Sequence, residues 1–144
     1  MRSEAALDSF SKGITCSASV FSAFSGEMGL DEETARKIAC GFGAGISRTG
    51  KICGAVSGAI MVIGLKHGKA VPGDDAGATD RTRALTRRFI REFEEVHGSV
   101  NCTELLGYNL SISDEYEEAA KTNLFRTACF AYVRDAVEIL ERIL

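Results

Sequence analysis

The chain has 144 residues, 45% hydrophobic and 26% charged, with a net charge of −3, the profile of one globular domain with a core of its own. That balance excludes a disordered segment and gives no basic surface for nucleic acid or an anionic membrane. The longest apolar run, Ile52 to Leu65, is about 14 residues, too short to span a bilayer; the N-terminus lacks a signal-peptide pattern, so a cytoplasmic location is expected.

In chain order the hydrophobic spacing is helical nearly throughout, and Pro72 is the single proline. A short helix over Glu4 to Phe10 ends near Gly13. Thr15 to Met28 carries Val20, Phe24 and Met28 on one face, with Gly29 as its stop. Asp31 caps a helix to about Cys40, with Glu32 and Glu33 in the first turn, where the macrodipole favours them. The glycines of "GFGAGISRTG", Gly41 to Gly50, break any regular helix and predict a turn or loop.

A helix from about Lys51 to His67 follows, and residues 68–79, "GKAVPGDDAGAT", read as an exposed linker-like loop inside the domain. Asp80 caps a charged helix to His97 with Leu85, Phe89 and Phe93 on its apolar stripe. Asn101 is the N-cap of a short turn, Cys102 to Leu106, ended by Gly107. A small element over Asp114 to Thr122 precedes a last helix, Asn123 to Leu144, with Phe125, Cys129, Tyr132, Val133, Ala136 and Leu140 on one stripe. The expected fold is all-α, a single domain over residues 1–144 built as a bundle of five to six helices.

Five cysteines stand at positions 16, 40, 53, 102 and 129. In a reducing compartment such thiols bind metal or do redox chemistry more often than they form structural disulfides. Cys16, Cys53 and Cys102 each fall in the expected first turn of a helix, where unpaired N–H groups and the dipole favour a thiolate. Cys129 is expected further along its helix, on the inward stripe. Gly54 and Gly58, four residues apart, smooth one helix face so that another backbone can approach. Glycine inside a helix costs roughly 1 kcal/mol against alanine, so the pair calls for a packing or functional reason.

The segment "GKICGAVSGA" carries CGAxxG, and with Cys16, Cys53, Cys102 and Cys129 in that order it resembles the C_GCAxxG_C_C family. The likeness extends through "CSASVFSAFSGEMGLDEETARKIACGFGAGISRTGKICGAVSGAIMVIGLKHG", "FEEVHGSVNCTELLGYNLS" and "CFAYVRDAVEIL". It implies a small helical protein whose four family cysteines are redox-active, with an iron–sulfur cluster as one form of the centre. Related domains occur in multiheme-type proteins, but no CxxCH motif is present here and heme does not carry over. Cys40 lies outside the pattern, and burial statistics make it a small core residue.

Three readings stand at this point. The first makes Cys16, Cys53, Cys102 and Cys129 ligands of an iron–sulfur cluster or zinc; without any CxxC, only tertiary structure can assemble such a site. The second is a thiol–disulfide centre in which those cysteines act as catalytic thiols, Cys53 being the most activated. The third is a non-enzymatic helical interaction or sensor module with inert buried cysteines.

Arg48 and Lys51 give the glycine-rich segment an anion-binding reading beside the simpler one of a tight turn. His67 and His97 read as helix C-terminal cations, and Tyr108 and Tyr132 as packing residues. The partner expected is an unidentified electron donor or acceptor, with neither nucleic acid nor membrane; the glycine face also offers a homodimer contact.

Overall fold

The computed structural model describes residues 1–73 and 75–144; helix follows helix, and no strand occurs among the described residues. The right-handed helices are α1 (Arg2–Ser11), α2 (Cys16–Ser25), α3 (Glu32–Ala39), α4 (Gly54–His67), α5 (Ala78–His97), α6 (Cys102–Leu106), α7 (Ser113–Lys121) and α8 (Ala128–Ile143). Turns of 3-10 helix over Gly26–Met28, Cys40–Phe42 and Leu124–Arg126 join some of them. The all-α expectation holds, but among the described residues eight right-handed helices replace five to six. The difference lies in α6 and α7, of 5 and 9 residues, too short for local periodicity to mark as separate helices.

Several boundaries move for identifiable reasons. Helix α4 begins at Gly54, not Lys51, because Ile52 pairs with Asn101 in an isolated antiparallel bridge that keeps residues 51–53 extended. Helix α5 begins at Ala78 with Gly77 as N-cap, which leaves Asp80 in the first turn rather than at the cap. Helix α8 begins at Ala128, not Asn123: Asn123 takes a left-handed φ of 61° and starts the 3-10 turn before it. Asn101 does precede α6, but its side-chain amide donates to Glu104 and caps no backbone N–H. The expected loop is exposed over residues 68–73, 75 and 76; Asp74 lies outside the described residues, and residues 78 and 79 belong to α5.

Helices α2 and α4 form the centre of the bundle. Each buries residues around most of its circumference, from Ser17 to Ser25 on α2 and from Gly54 to Ile63 on α4. Helices α1, α3, α5 and α8 surround this pair. Helices α5 and α8 are amphipathic, with Phe89 and Phe93 on one, and Val133, Ala136, Val137 and Leu140 on the other, turned to the core. The buried Ser17 hydroxyl donates to the Ala39 carbonyl at 2.7 Å, so this polar group inside the centre is satisfied.

The segment expected to be a turn is one of unusual hand. Ala44, Gly45, Ile46, Ser47 and Arg48 have φ of 55°, 66°, 63°, 51° and 68°, a continuous left-handed turn. Left-handed residues cost roughly 1–2 kcal/mol each when they carry a Cβ, and ordinarily occur singly. The turn is held by the Arg48 N–H donating to Ala44 at 2.8 Å, Lys51 N–H to Gly45 at 2.9 Å, and the Ser47 hydroxyl to Gly41 at 2.8 Å. Ile46 is the β-branched member and is exposed. Ile46→Gly is therefore expected to stabilise the protein by about 0.5–1 kcal/mol, read as a higher urea midpoint; a lower midpoint would mean that the turn carries no strain at Ile46.

Candidate functional site

Cys16, Cys53, Cys102 and Cys129 all stand at the starts of helices. Cys16 is the first residue of α2, behind an N-cap Thr15 whose hydroxyl accepts from the Ala18 N–H at 3.3 Å. Cys53 is itself the N-cap of α4, and Cys102 is the first residue of α6. Cys129 is the second residue of α8, not a mid-helix residue as expected, because that helix starts later than its apolar stripe implied. The short bridge ties two of these starts together: the Cys53 N–H donates to Val100 and the Cys102 N–H to Lys51, both at 2.7 Å.

These helix starts open on one cavity of about 570 Å³, with Cys16, Cys53, Cys102 and Cys129 among its lining residues. Phe10, Ile14, Leu105, Leu110 and Phe125 supply apolar wall, and the left-handed turn forms another side through Ala44, Gly45 and Arg48. Two glycines make room for the sulfurs. A Cβ on Gly54 would lie 2.3 Å from the Cys16 sulfur, and one on Gly45 would lie 2.7 Å from the Cys102 Cβ. A third, Gly58, lets α2 and α4 approach: its Cβ would meet the Ser17 carbonyl oxygen at 2.4 Å. In CGAxxG, then, the first glycine accommodates a thiol and the second a backbone.

All five cysteines are free thiols. Cys40 was expected in the core and is instead exposed, because α3 ends at Ala39 and the 3-10 turn carries residue 40 outward to the edge of the cavity. The lowered thiol pKa expected at helix starts is not found. Burial pushes Cys16 and Cys53 up, Cys102 up to about 11 and Cys129 up to about 12. Backbone N–H groups of Ala44, Ser17 and Gly54 at Cys16, and of Val56 and Ala55 at Cys53, pull the other way and are outweighed. Charge on Cys16 further raises Cys53, Cys102 and Cys129, so the sulfurs sense one another across the cavity. Cys53 is thus no activated nucleophile in this state.

Behind Cys129, Tyr132 closes the cavity and donates its hydroxyl to the Leu105 carbonyl at 3.0 Å. Burial and then the neighbouring thiols push its phenol up to about 12. The ring of His97 meets Tyr132 edge-on at 4.8 Å, and His97 Nε2 lies 2.8 Å from the Asp135 carboxylate, which binds the end of α5 to α8. His67 and His97 do end α4 and α5, but desolvation and the neighbouring Lys66 and Arg81 push the His67 imidazole down, away from the cation read from the sequence. Tyr116 at the mouth was not legible; it comes from α7 and reaches Arg48 across 68 positions of sequence, a contact without any local signature.

Among the described residues no three Cys, His, Asp or Glu side chains converge closely enough to hold a single metal ion. No described helix is long and apolar enough to cross a membrane. Comparisons with curated proteins and with solved structures return no match. One family model, whose description reads "Putative redox-active protein (C_GCAxxG_C_C)", matches residues 14–143, and the chain belongs to that family.

Proposed function

We propose that Cys16, Cys53, Cys102 and Cys129 form a single redox centre that holds an iron–sulfur cluster. The observation carrying this reading is that four cysteine-bearing helix starts open on one apolar cavity. Four thiolates are the usual ligand set of such a cluster, and a cluster spreads its ligands over several irons rather than onto one point. The donor set therefore suits a cluster, whereas zinc, which draws its ligands to about 2.0–2.3 Å from one ion, does not suit sulfurs with no such point among them.

A bound cluster supplies one-electron transfer at a potential tuned by hydrogen bonds and burial. This chain's part is to supply and surround it. The four thiols give up their protons to become ligands, and the N-terminal ends of α2, α4 and α8 with the amides of Ala44 and Gly54 offset the negative charge. The apolar walls limit the water that reaches the sulfurs, with Cys53 and Cys102 buried and Cys16 and Cys129 half-buried. Thiols that burial keeps protonated are poor nucleophiles for exchange, whereas a metal displaces the proton of a coordinating thiol outright, which ranks the cluster above a thiol-exchange catalyst.

The bridge favours a second reading. Cys53 and Cys102 lie diagonally at opposite ends of the Ile52–Asn101 pair, with their side chains leaving the same face of the bridge, a spacing of about 7–8 Å that a disulfide closes with a small backbone movement. Joining them forms one S–S bond from two S–H bonds and passes two electrons and two protons to a two-electron oxidant such as dioxygen, which becomes hydrogen peroxide. Anaerobic purification from iron-replete cells distinguishes the readings. Iron and acid-labile sulfide with a visible absorption band, lost in each of Cys16→Ser, Cys53→Ser, Cys102→Ser and Cys129→Ser and kept in Cys40→Ser, supports the cluster. Iron-free protein that forms a Cys53–Cys102 disulfide in air supports the second reading, and iron-free protein retaining five free thiols in air refutes both.

A further inference from the structure

We propose that the cysteine cavity also binds a small organic anion, its apolar body among the aromatic walls and its carboxylate or sulfonate on Arg48. The volume of about 570 Å³ falls within the range of small-molecule sites, roughly 300–1,000 Å³. Among the described residues its lining is apolar apart from the sulfurs, a few hydroxyls and one charged side chain, Arg48. A single cation at the mouth of an apolar cavity selects a ligand with one anionic end.

Arg48 is held ready for that role. Its guanidinium lies 4.0 Å over the Tyr116 ring, and Nη2 donates to the Tyr116 hydroxyl at 2.9 Å. Tyr116 in turn packs on Phe125 at 5.4 Å between ring centroids, and both rings line the cavity. Among the described residues Arg48 has no carboxylate partner, so most of its five N–H donors remain available. The left-handed turn sets the direction of the side chain, since Arg48 sits at φ 68° with its own N–H closing the turn on Ala44. Removing the planar guanidinium from this rim takes away both the charge and the paired donors.

The inference rests on the cavity described as the redox centre, but its contact with the ligand is Arg48 rather than sulfur. It is tested on the purified full chain with two fluorescent probes of similar shape, anionic 8-anilinonaphthalene-1-sulfonate and neutral N-phenyl-1-naphthylamine. The two are expected to compete for one site. Arg48→Gln should weaken the anionic probe by about tenfold, the loss of one hydrogen bond to a charged group, and change the neutral probe by less than about twofold. Arg48→Lys, which keeps the charge, should recover part of the affinity. Equal affinity for the anionic probe in Arg48→Gln, equal weakening of both probes, or absence of competition overturns the proposal. Because both proposals use one cavity, the probes are titrated into the protein as purified and again after chelator and reductant; the Arg48 variants are scored within each state, so failure of this proposal and failure of the redox centre, read from iron and thiol content, are separately visible.

Discussion

Gly58→Ala lowers the unfolding free energy by about 2–3 kcal/mol, although alanine ordinarily stabilises a helix by roughly 1 kcal/mol over glycine. The added methyl would lie 2.4 Å from the Ser17 carbonyl oxygen and 3.2 Å from the Ser17 carbonyl carbon, atoms of the α2 backbone that no rotamer change can move. Nor can α2 retreat, because it is buried from Ser17 to Ser25 against α3 and α1. Gly64, six positions on in the same helix, is the internal control: a Cβ there meets nothing within 4 Å, so Gly64→Ala gains up to about 1 kcal/mol. Urea midpoints of the two variants at unchanged m-value measure both effects. A Gly58→Ala protein as stable as the parent would show that the two helices do not need this contact. Since α2 begins with Cys16 and Cys53 caps α4, the same approach sets the spacing of the site.

Above about pH 9 the reduced, metal-free protein loses stability by several kcal/mol, because each pK unit separating a folded from an unfolded thiol is worth about 1.4 kcal/mol. An ordinary thiol ionises near 9.0, whereas Cys102 and Cys129 are pushed up to about 11 and about 12 in the fold. Below 9 both states keep these protons and the contribution is complete. As pH rises past 9 the unfolded chain releases protons that the folded chain retains, so the balance moves towards unfolding until the buried thiols themselves ionise near 11 and 12. Thermal unfolding from pH 7 to 11, with reductant and chelator, is expected to show the decline. The Cys102→Ser, Cys129→Ser double variant lacks these two titrating groups and should decline less. Parallel profiles for parent and variant would remove the case that burial keeps these thiols neutral.

How far these features were legible follows the range of the interactions. Asp31 accepts from the Thr34 N–H at 2.9 Å, a cap readable from three neighbouring residues. The stripe of Phe89 and Phe93 on α5 was readable in the same way. The start of α4 was not, since Asn101, far along the chain, holds Ile52 out of the helix. Nor was the outward turn of Cys40, which depends on how α3 closes.

The amino-acid sequence by itself determined an all-helical chain, the helix starts at Cys16 and Cys102, and the two glycines that ask for close packing, because caps, periodicity and missing side chains act within a few residues. Tertiary structure alone decided that Cys129 joins the other three around one cavity, that their thiols stay protonated, and that residues 44–48 wind left-handed with Arg48 at the rim. Desolvation and steric approach come from whatever packs opposite, and in this bundle those partners lie tens of residues away.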